Sequence, residues 1–429
     1  MDCNAVSSLS WVPRGYAKEV PIKNAHYAMN DEDVEQYFVS HNIEHEINNQ
    51  TKTIIDTNLN TSGRDDKNSK DFSFYGENFF HTVERGLSKF GKDPNMKQDQ
   101  FIDSDDEALQ IKAGDSLLAT TTIEDDVATL QVYLYSIEDG SFYVHHDVII
   151  GDYPLCSEWI SLGSHNKNNI VAVGSFNGEV NLWNLDFIDS IDPILTLHSD
   201  LGHSDAVMSL AAHNGNSKLL ASGSADETIK LWDLNEGSCI ITYSNSTNKV
   251  QCLEWHHSEN NILIAADYNR SLQFIDIRTV GRQALLNYNK EHGDPESIVL
   301  PSAGIYDNGN TVIISTENGL ISGYDIRMLS ENCAKSKFSV VANHNSKPIT
   351  SICCTSISNM LVSCDLDGIS KVWDLSHMKE CVIEKPLKGG KLFTCKSCPD
   401  EKAIVAFGGE STILWNISQE DVVSKKFDL

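Results

Sequence analysis

Apolar and polar residues alternate over short stretches that recur along the chain. Val207-Met-Ser-Leu210, Val250-Gln-Cys-Leu253-Glu-Trp255 and Ile349-Thr-Ser-Ile352 share one frame of apolar positions, as half-buried strands require. Val6-Ser-Ser-Leu9-Ser-Trp11 follows the same frame, which predicts a strand over residues 5–12. The second and third strands of that sheet are expected near 116–122 and 129–136, and the fourth near 142–149. Roughly a hundred residues, 13–112, are therefore inserted inside the first sheet. Fourth strands of later sheets are expected at 194–197, 239–243 and 421–427. Closure is then expected at a seam between the two ends of the chain, which would remove exposed sheet edges.

A longer period lies over the alternation. An aromatic or apolar residue marks the third strand of each unit: Tyr135, Trp183, Trp232, Ile275, Tyr324, Trp373 and Trp415. Their separations are 48, 49, 43, 49, 49 and 42. Six residues before several of them stands a turn former: Asn177, Asp226, Asn269, Asn318 or Asp367. Gly follows Asn177, Asn318 and Asp367 directly, a strong hairpin signal. Seven sheets of forty-odd residues predict a closed all-β ring.

Two units carry more. His203, Ser222, Asp226 and Trp232 are spaced nineteen, four and six apart, and His344, Ser363, Asp367 and Trp373 repeat those spacings. A buried indole N–H, hydroxyl and imidazole each need a partner, and one chain of bonds satisfies all three. The pattern resembles the WD-repeat signature. The fold expected is thus an all-β, seven-bladed WD-repeat β-propeller with a long insertion in the first blade. Its divisions are a first strand at 1–12, the insertion at 13–112 and the propeller at 113–429. Within the insertion, 30–38 reads as a short capped helix and 44–72 as disordered. Phe79, Val83, Leu87 and Phe90 fall at helical spacing.

Composition narrows the function. No run approaches eighteen apolar residues, so no membrane span is expected, and the opening residues lack a secretory pattern. Eleven scattered cysteines suit a reducing compartment. The formal net charge of −28 disfavours broad nucleic-acid binding and favours basic protein partners. Residues 101–160 hold thirteen Asp or Glu against one Lys, Lys112. Asp103, Asp105, Asp106 and Glu107 form a candidate docking strip for a basic partner, and Ser104 before them a candidate phosphosite.

Candidate chemistry is weaker. An Asp–His–Ser set invites a triad reading, but these residues read as blade structure. His145-His146-Asp147 suggests metal only until strand alternation sends adjacent imidazoles to opposite faces. Cys395-x-x-Cys398 lacks further ligands, and Asp365-Leu-Asp367-Gly is a turn rather than a calcium loop. No phosphate loop, nucleophile elbow or kinase signature occurs. No enzyme activity, metal, cofactor or small-molecule substrate is expected.

Several stretches lie outside the repeat pattern. They include Leu9-Ser-Trp-Val-Pro-Arg-Gly-Tyr-Ala-Lys-Glu19, Ser141-Phe-Tyr-Val-His-His-Asp-Val-Ile-Ile150 and Tyr153-Pro-Leu-Cys-Ser-Glu-Trp-Ile160. Asn184-Leu-Asp-Phe-Ile-Asp-Ser-Ile-Asp-Pro193, Phe393-Thr-Cys-Lys-Ser-Cys-Pro-Asp400 and Ala406-Phe-Gly-Gly409 belong with them. Together they resemble the periodic tryptophan protein 1 family over nearly the whole chain, least across about 40–75. That resemblance implies a nuclear and nucleolar protein of large-subunit ribosome assembly, associated in some members with ribosomal-RNA gene chromatin. The partners expected are basic ribosomal proteins or assembly factors, with histones as an alternative and pre-ribosomal RNA reached indirectly. Members can carry a lysine-rich run before the His203 loop and an extended tail. This chain has only Lys425-Lys426, so no import signal of its own is expected. Asp276-Ile-Arg278 and Asp325-Ile-Arg327 echo ubiquitin-ligase substrate adaptors, a third reading.

Overall fold

The computed structural model describes residues 4–22, 109–160, 169–197, 202–244, 246, 248–279, 283–287, 293–301, 309–326, 338–341, 347–377 and 381–429. Blade one is β1 (Ala5–Val12), β2 (Ser116–Glu124), β3 (Val127–Tyr135) and β4 (Phe142–Ile150). Blade two is β5 (Pro154–Ile160), β6 (Ile170–Ser175), β7 (Val180–Asn184) and β8 (Leu195–Leu197). Blade three is β9 (Val207–Ala212), β10 (Leu219–Ser224), β11 (Ile229–Asp233) and β12 (Ser238–Tyr243). Blade four is β13 (Val250–Trp255), β14 (Ile262–Asp267), β15 (Ser271–Asp276) and β16 (Gln283–Asn287). Blade five is β17 (Pro295–Val299), β18 (Thr311–Thr316), β19 (Leu320–Asp325) and β20 (Phe338–Val341). Blade six is β21 (Ile349–Cys354), β22 (Met360–Asp365), β23 (Ile369–Asp374) and β24 (Ile383–Pro386). Blade seven holds β25 (Thr394–Ser397), β26 (Ile404–Gly408) and β27 (Thr412–Asn416). Among the described residues each blade is an antiparallel meander in chain order, six of four strands and the last of three. The molecule is a seven-bladed β-propeller.

The hydrophobic core lies between blades rather than within them. Leu117, Leu130 and Val132 of blade one pack on Val171, Val173 and Trp183 of blade two. Val362 and Val372 of blade six meet Val405, Phe407 and Trp415 of blade seven in the same way. Trp232 is fully buried. An indole of that kind removes on the order of 200 Å² from water, about 5 kcal/mol before the entropy of ordering it. The second-to-third strand turns follow from their residues. Gly178 sits at φ +87, and a Cβ there would lie 2.7 Å from the His203 carbonyl oxygen, so both conformation and space select glycine.

The C-terminal segment departs from the sequence reading. Residues expected as a strand at 421–427 form helix α1 (Asp421–Phe427), after a 3-10 turn at Ile417–Gln419. Asp421 lies in the first turn of α1, and Lys425 and Lys426 in its last, which suits the helix dipole. Val423 is buried against the blade seven core and Phe427 packs there one turn later, a helical spacing rather than an alternating one.

The ring closes without exchange of strands. β1 lies beside blade seven, with the Val6 amide donating to the Gly409 carbonyl at 2.7 Å. Val6, Leu9 and Trp11 pack on Ile404 and Ala406, and Trp11 Nε1 donates to the Lys396 carbonyl at 3.1 Å. Arg14 adds an ion pair with Glu401 at 2.8 Å. The two stems of the insertion meet next to this seam. The Ile111 amide donates to the Glu19 carbonyl at 2.9 Å, and the Ile22 amide to Asp186 at 2.7 Å. The helix expected at 30–38, the tract at 44–72, the set from Phe79 to Phe90 and the strip from Asp103 to Glu107 with Ser104 lie outside the described residues.

Candidate functional site

In blade three the four signature residues form one bonded chain. Trp232 Nε1 donates to Ser222 Oγ at 2.7 Å, and Ser222 Oγ lies 2.7 Å from His203 Nε2. His203 Nδ1 lies 3.0 Å from Asp226 Oδ2. Since the indole N–H can only donate, the tautomer that completes the chain is Ser222 O–H giving to Nε2 and Nδ1–H giving to Asp226. Burial opposes the charge on Asp226, but bonds from His203 and Thr228 outweigh it and hold the carboxyl below its ordinary range. Ser222 is fully buried. Its hydroxyl is spent on the indole and the imidazole, which leaves no geometry for nucleophilic attack.

Blade six keeps part of the pattern. Trp373 Nε1 donates to Ser363 Oγ at 2.9 Å, Asp367 accepts from Lys347 Nζ at 3.0 Å, and His344 lies outside the described residues. The other blade positions diverge. Trp183 and Trp415 are buried, with Trp415 Nε1 donating to Glu420 at 3.3 Å. Ile275 and Tyr324 are buried and Tyr135 half-buried, each on its blade's third strand. Asp365 accepts the Asp367 and Ile369 amides, both at 2.9 Å, and so closes its turn.

His145 and His146 overturn the alternation argument. β4 bulges so that His146 pairs with Val132 and Val144 with Tyr133, which leaves His145 as the extra residue. A bulge re-aims its side chain, and the two Nδ1 atoms come within 2.8 Å. His145 Nε2 lies 2.9 Å from the Leu109 carbonyl oxygen. That oxygen can only accept, so neutral His145 carries its proton on Nε2 and accepts from His146 at Nδ1. Burial, then His145, push His146 down to about 4. No group of three His, Cys, Asp or Glu arranged for a metal occurs among the described residues. Cys395 and Cys398 point into different cores, the first between blades six and seven and the second at the seam with blade one.

A central channel follows from the expected fold, but the residues that line it were not singled out from the sequence. The innermost strand of each of the first six blades carries a bulge at its second or third residue, at Ser7, Leu155, Met208, Gln251, Glu296 and Thr350. All six line a channel of about 440 Å³. Three residues beyond the bulges of blades two and four, Glu158 and Glu254 line it as well, and Lys396 reaches it from β25 of blade seven. Glu158, Glu254 and Glu296 are half-buried where they line the channel. Burial raises Glu158 against the pull of Lys396, whose Nζ lies 4.0 Å away. Burial pushes Glu254 up to about 7. Burial, with Glu317 and Asp294 nearby, pushes Glu296 up to about 7. Glu158 raises Lys396 in turn. One signal was available: Glu158-Trp159 and Glu254-Trp255 repeat in one frame, with Ser10-Trp11 as the blade-one counterpart.

The WD domain, G-beta repeat family matches residues 192–233 and 335–374. A Drosophila melanogaster protein named periodic tryptophan protein 1 homolog is 28% identical, over 77% of this chain and 74% of the relative. Periodic tryptophan protein 1 of Saccharomyces cerevisiae is 24% identical over 98% of this chain and 89% of its own length. The chain is a WD-repeat homologue of periodic tryptophan protein 1. A Xenopus tropicalis U3 small nucleolar RNA-associated protein 15 homolog is 25% identical over 54% of this chain and 43% of the relative.

Proposed function

We propose that this propeller is a non-enzymatic scaffold in large-subunit ribosome assembly and rRNA processing, working in the nucleus and nucleolus. The observation that carries the reading is the near full-length match to yeast periodic tryptophan protein 1. A relative named for the U3 small nucleolar RNA supports the same setting. WD-repeat propellers generally serve as interaction platforms, and the buried, fully bonded Ser222 and His203 fit that role. The partners proposed are basic ribosomal proteins or assembly factors. The net charge of −28 favours them, and the carboxylates of Glu158, Glu254 and Glu296 offer a place for a cationic side chain. Pre-ribosomal RNA is reached through those proteins.

A histone tail in the channel is the second reading, favoured by the same three carboxylates. The substrate-adaptor reading has less support. Arg278 folds back onto Asp276 at 2.7 Å, and Arg327 lies outside the described residues. The test is sedimentation of tagged full-length protein from extract at low and moderate salt. Fractions are probed for large-subunit precursor RNA, ribosomal proteins and histones. Co-sedimentation with the precursors is expected. Migration away from them with histones enriched would overturn the scaffold reading in favour of the chromatin one.

A further inference from the structure

Among the described residues blade seven ends one strand short, and none of them pairs with the outer backbone edge of β27. The Ile417 amide donates to Ala403 at 2.8 Å, and the Gly409 amide to Ser411 at 3.2 Å. With the register Val405↔Trp415 and Phe407↔Ile413, these bonds turn residues 411, 413, 415 and 417 toward β26. The N–H and C=O groups of Thr412 and Leu414 therefore point away from the sheet.

Other blades fill this place. The residue before the blade tryptophan accepts a bond from the fourth strand. The Ile194 amide gives to the Leu182 carbonyl at 2.8 Å, and the Val382 amide to the Val372 carbonyl at 2.8 Å. Leu414 is the same position in blade seven, and no described residue gives it that bond. Exposure agrees. Thr412, Ile413 and Leu414 are half-buried, whereas the matching residues of β15 and β23 are mostly buried. No backbone bond joins helix α1 to this edge. The helix leans toward blade six, with Lys426 on Asp374 at 2.9 Å and Lys385 on Glu420 at 2.6 Å.

Natural edges are blunted by Lys, Pro or bulges. Thr412-Ile-Leu-Trp-Asn416 has neither residue, and its pairing with β26 is regular. We propose that the β27 edge binds an extended segment of a partner protein as the fourth strand of blade seven. The surroundings state the partner's chemistry. Leu414 packs on the same seam core as Tyr133, Tyr135 and Phe142 of blade one, and Tyr133 stacks on Phe142 at 4.7 Å. Alternate apolar residues of the incoming strand would meet this wall. Exposed Glu410 stands two residues before Thr412, exposed Glu124 ends β2 and acts on Tyr133, and exposed Asp125 and Asp126 form the turn after it. The residues between the apolar ones are therefore basic. This surface is distinct from the channel and does not depend on the ribosomal reading.

The test uses full-length protein and the synthetic peptide acetyl-Lys-Val-Lys-Val-Lys-Val-Lys-amide, with a version N-methylated on alternate residues as control. Amide exchange is followed at Thr412 and Leu414. The expected result is fast exchange at both amides in the free protein, slowed by the peptide but not by its methylated form. Leu414→Pro removes an outward N–H and no β26 bond. It should weaken peptide binding about tenfold with an unchanged circular dichroism spectrum. Thr412→Pro serves the same purpose should Leu414→Pro fail to fold. Three results would overturn the proposal. They are slow exchange at Thr412 and Leu414 in the free chain, which means that its own residues fill the edge; no peptide binding; or equal binding by the proline variant.

Discussion

Ser222→Ala is the most direct probe of the bonded chain in blade three. The serine oxygen takes the Trp232 N–H at 2.7 Å and lies 2.7 Å from His203 Nε2. Both rings are buried, with Trp232 at 0% exposure, so no water replaces what is lost. An orphaned buried donor or acceptor costs about 1–3 kcal/mol. Two of them place the loss at about 2–6 kcal/mol, with little added for the small void. Trp232→Phe removes the donor from the other side and also forfeits part of the indole packing. If the bond is real, the two changes are coupled. The double variant should cost about 1–2 kcal/mol less than the sum of the singles. The assay is urea unfolding of the full chain followed by circular dichroism at neutral pH, with the midpoint and slope fitted for all four proteins. A loss below about 0.5 kcal/mol for Ser222→Ala, or additivity within about 0.5 kcal/mol, would refute the reasoning.

Three further outcomes are expected. His146 has a folded value of about 4, against about 6.5 unfolded. The unfolded chain therefore binds more protons between the two, and stability falls as pH drops through that window, by about 3 kcal/mol in full. His146→Gln should flatten this limb of the thermal midpoint against pH, and an unchanged slope counts against the assignment. Glu254 has the opposite sign, since its folded value is raised to about 7. Its charge opposes folding as pH rises from about 4.5 to about 7, so Glu254→Gln should stabilise the protein at pH about 8 by about 1–2 kcal/mol and leave it unchanged near pH 4. A thermal scan at the two pH values decides this. Val423→Ala should cost about 2 kcal/mol because Val423 is fully buried under α1, while Val422→Ala, at 55% exposure, should cost less than about 0.5 kcal/mol. Equal losses in urea would mean that the helix is not docked through Val423.

Much of the fold was legible because propeller strands are short, alternating and punctuated by turns. β1 was readable from Val6, Leu9 and Trp11, and the third strands from one aromatic position. What failed was the chemistry that depends on irregular or distant geometry. Nothing local marks the bulge in β4, so alternation sent His145 and His146 apart when the fold brings them together. The acidic lining of the channel escaped notice because Glu158, Glu254 and Glu296 come from three blades and meet only once the ring exists. The final segment was misread because Val422 and Val423 favour a strand by propensity. The buried apolar face of Val423 and Phe427 overrides it.

The way the ring closes has a consequence for how the protein is made. Among the described residues every blade is drawn from one stretch of chain, the first interrupted between Val12 and Ser116. No sheet among them takes a strand from the far end of the polypeptide. During synthesis each blade can form as it leaves the ribosome and dock on the one before it. The last step is then side-chain contact of blade seven with Val6, Leu9 and Trp11, not the threading of a strand into a finished sheet. A chain released before blade seven should hold its earlier blades as an open arc, with blade one's seam surface exposed to the chaperones of the translating ribosome.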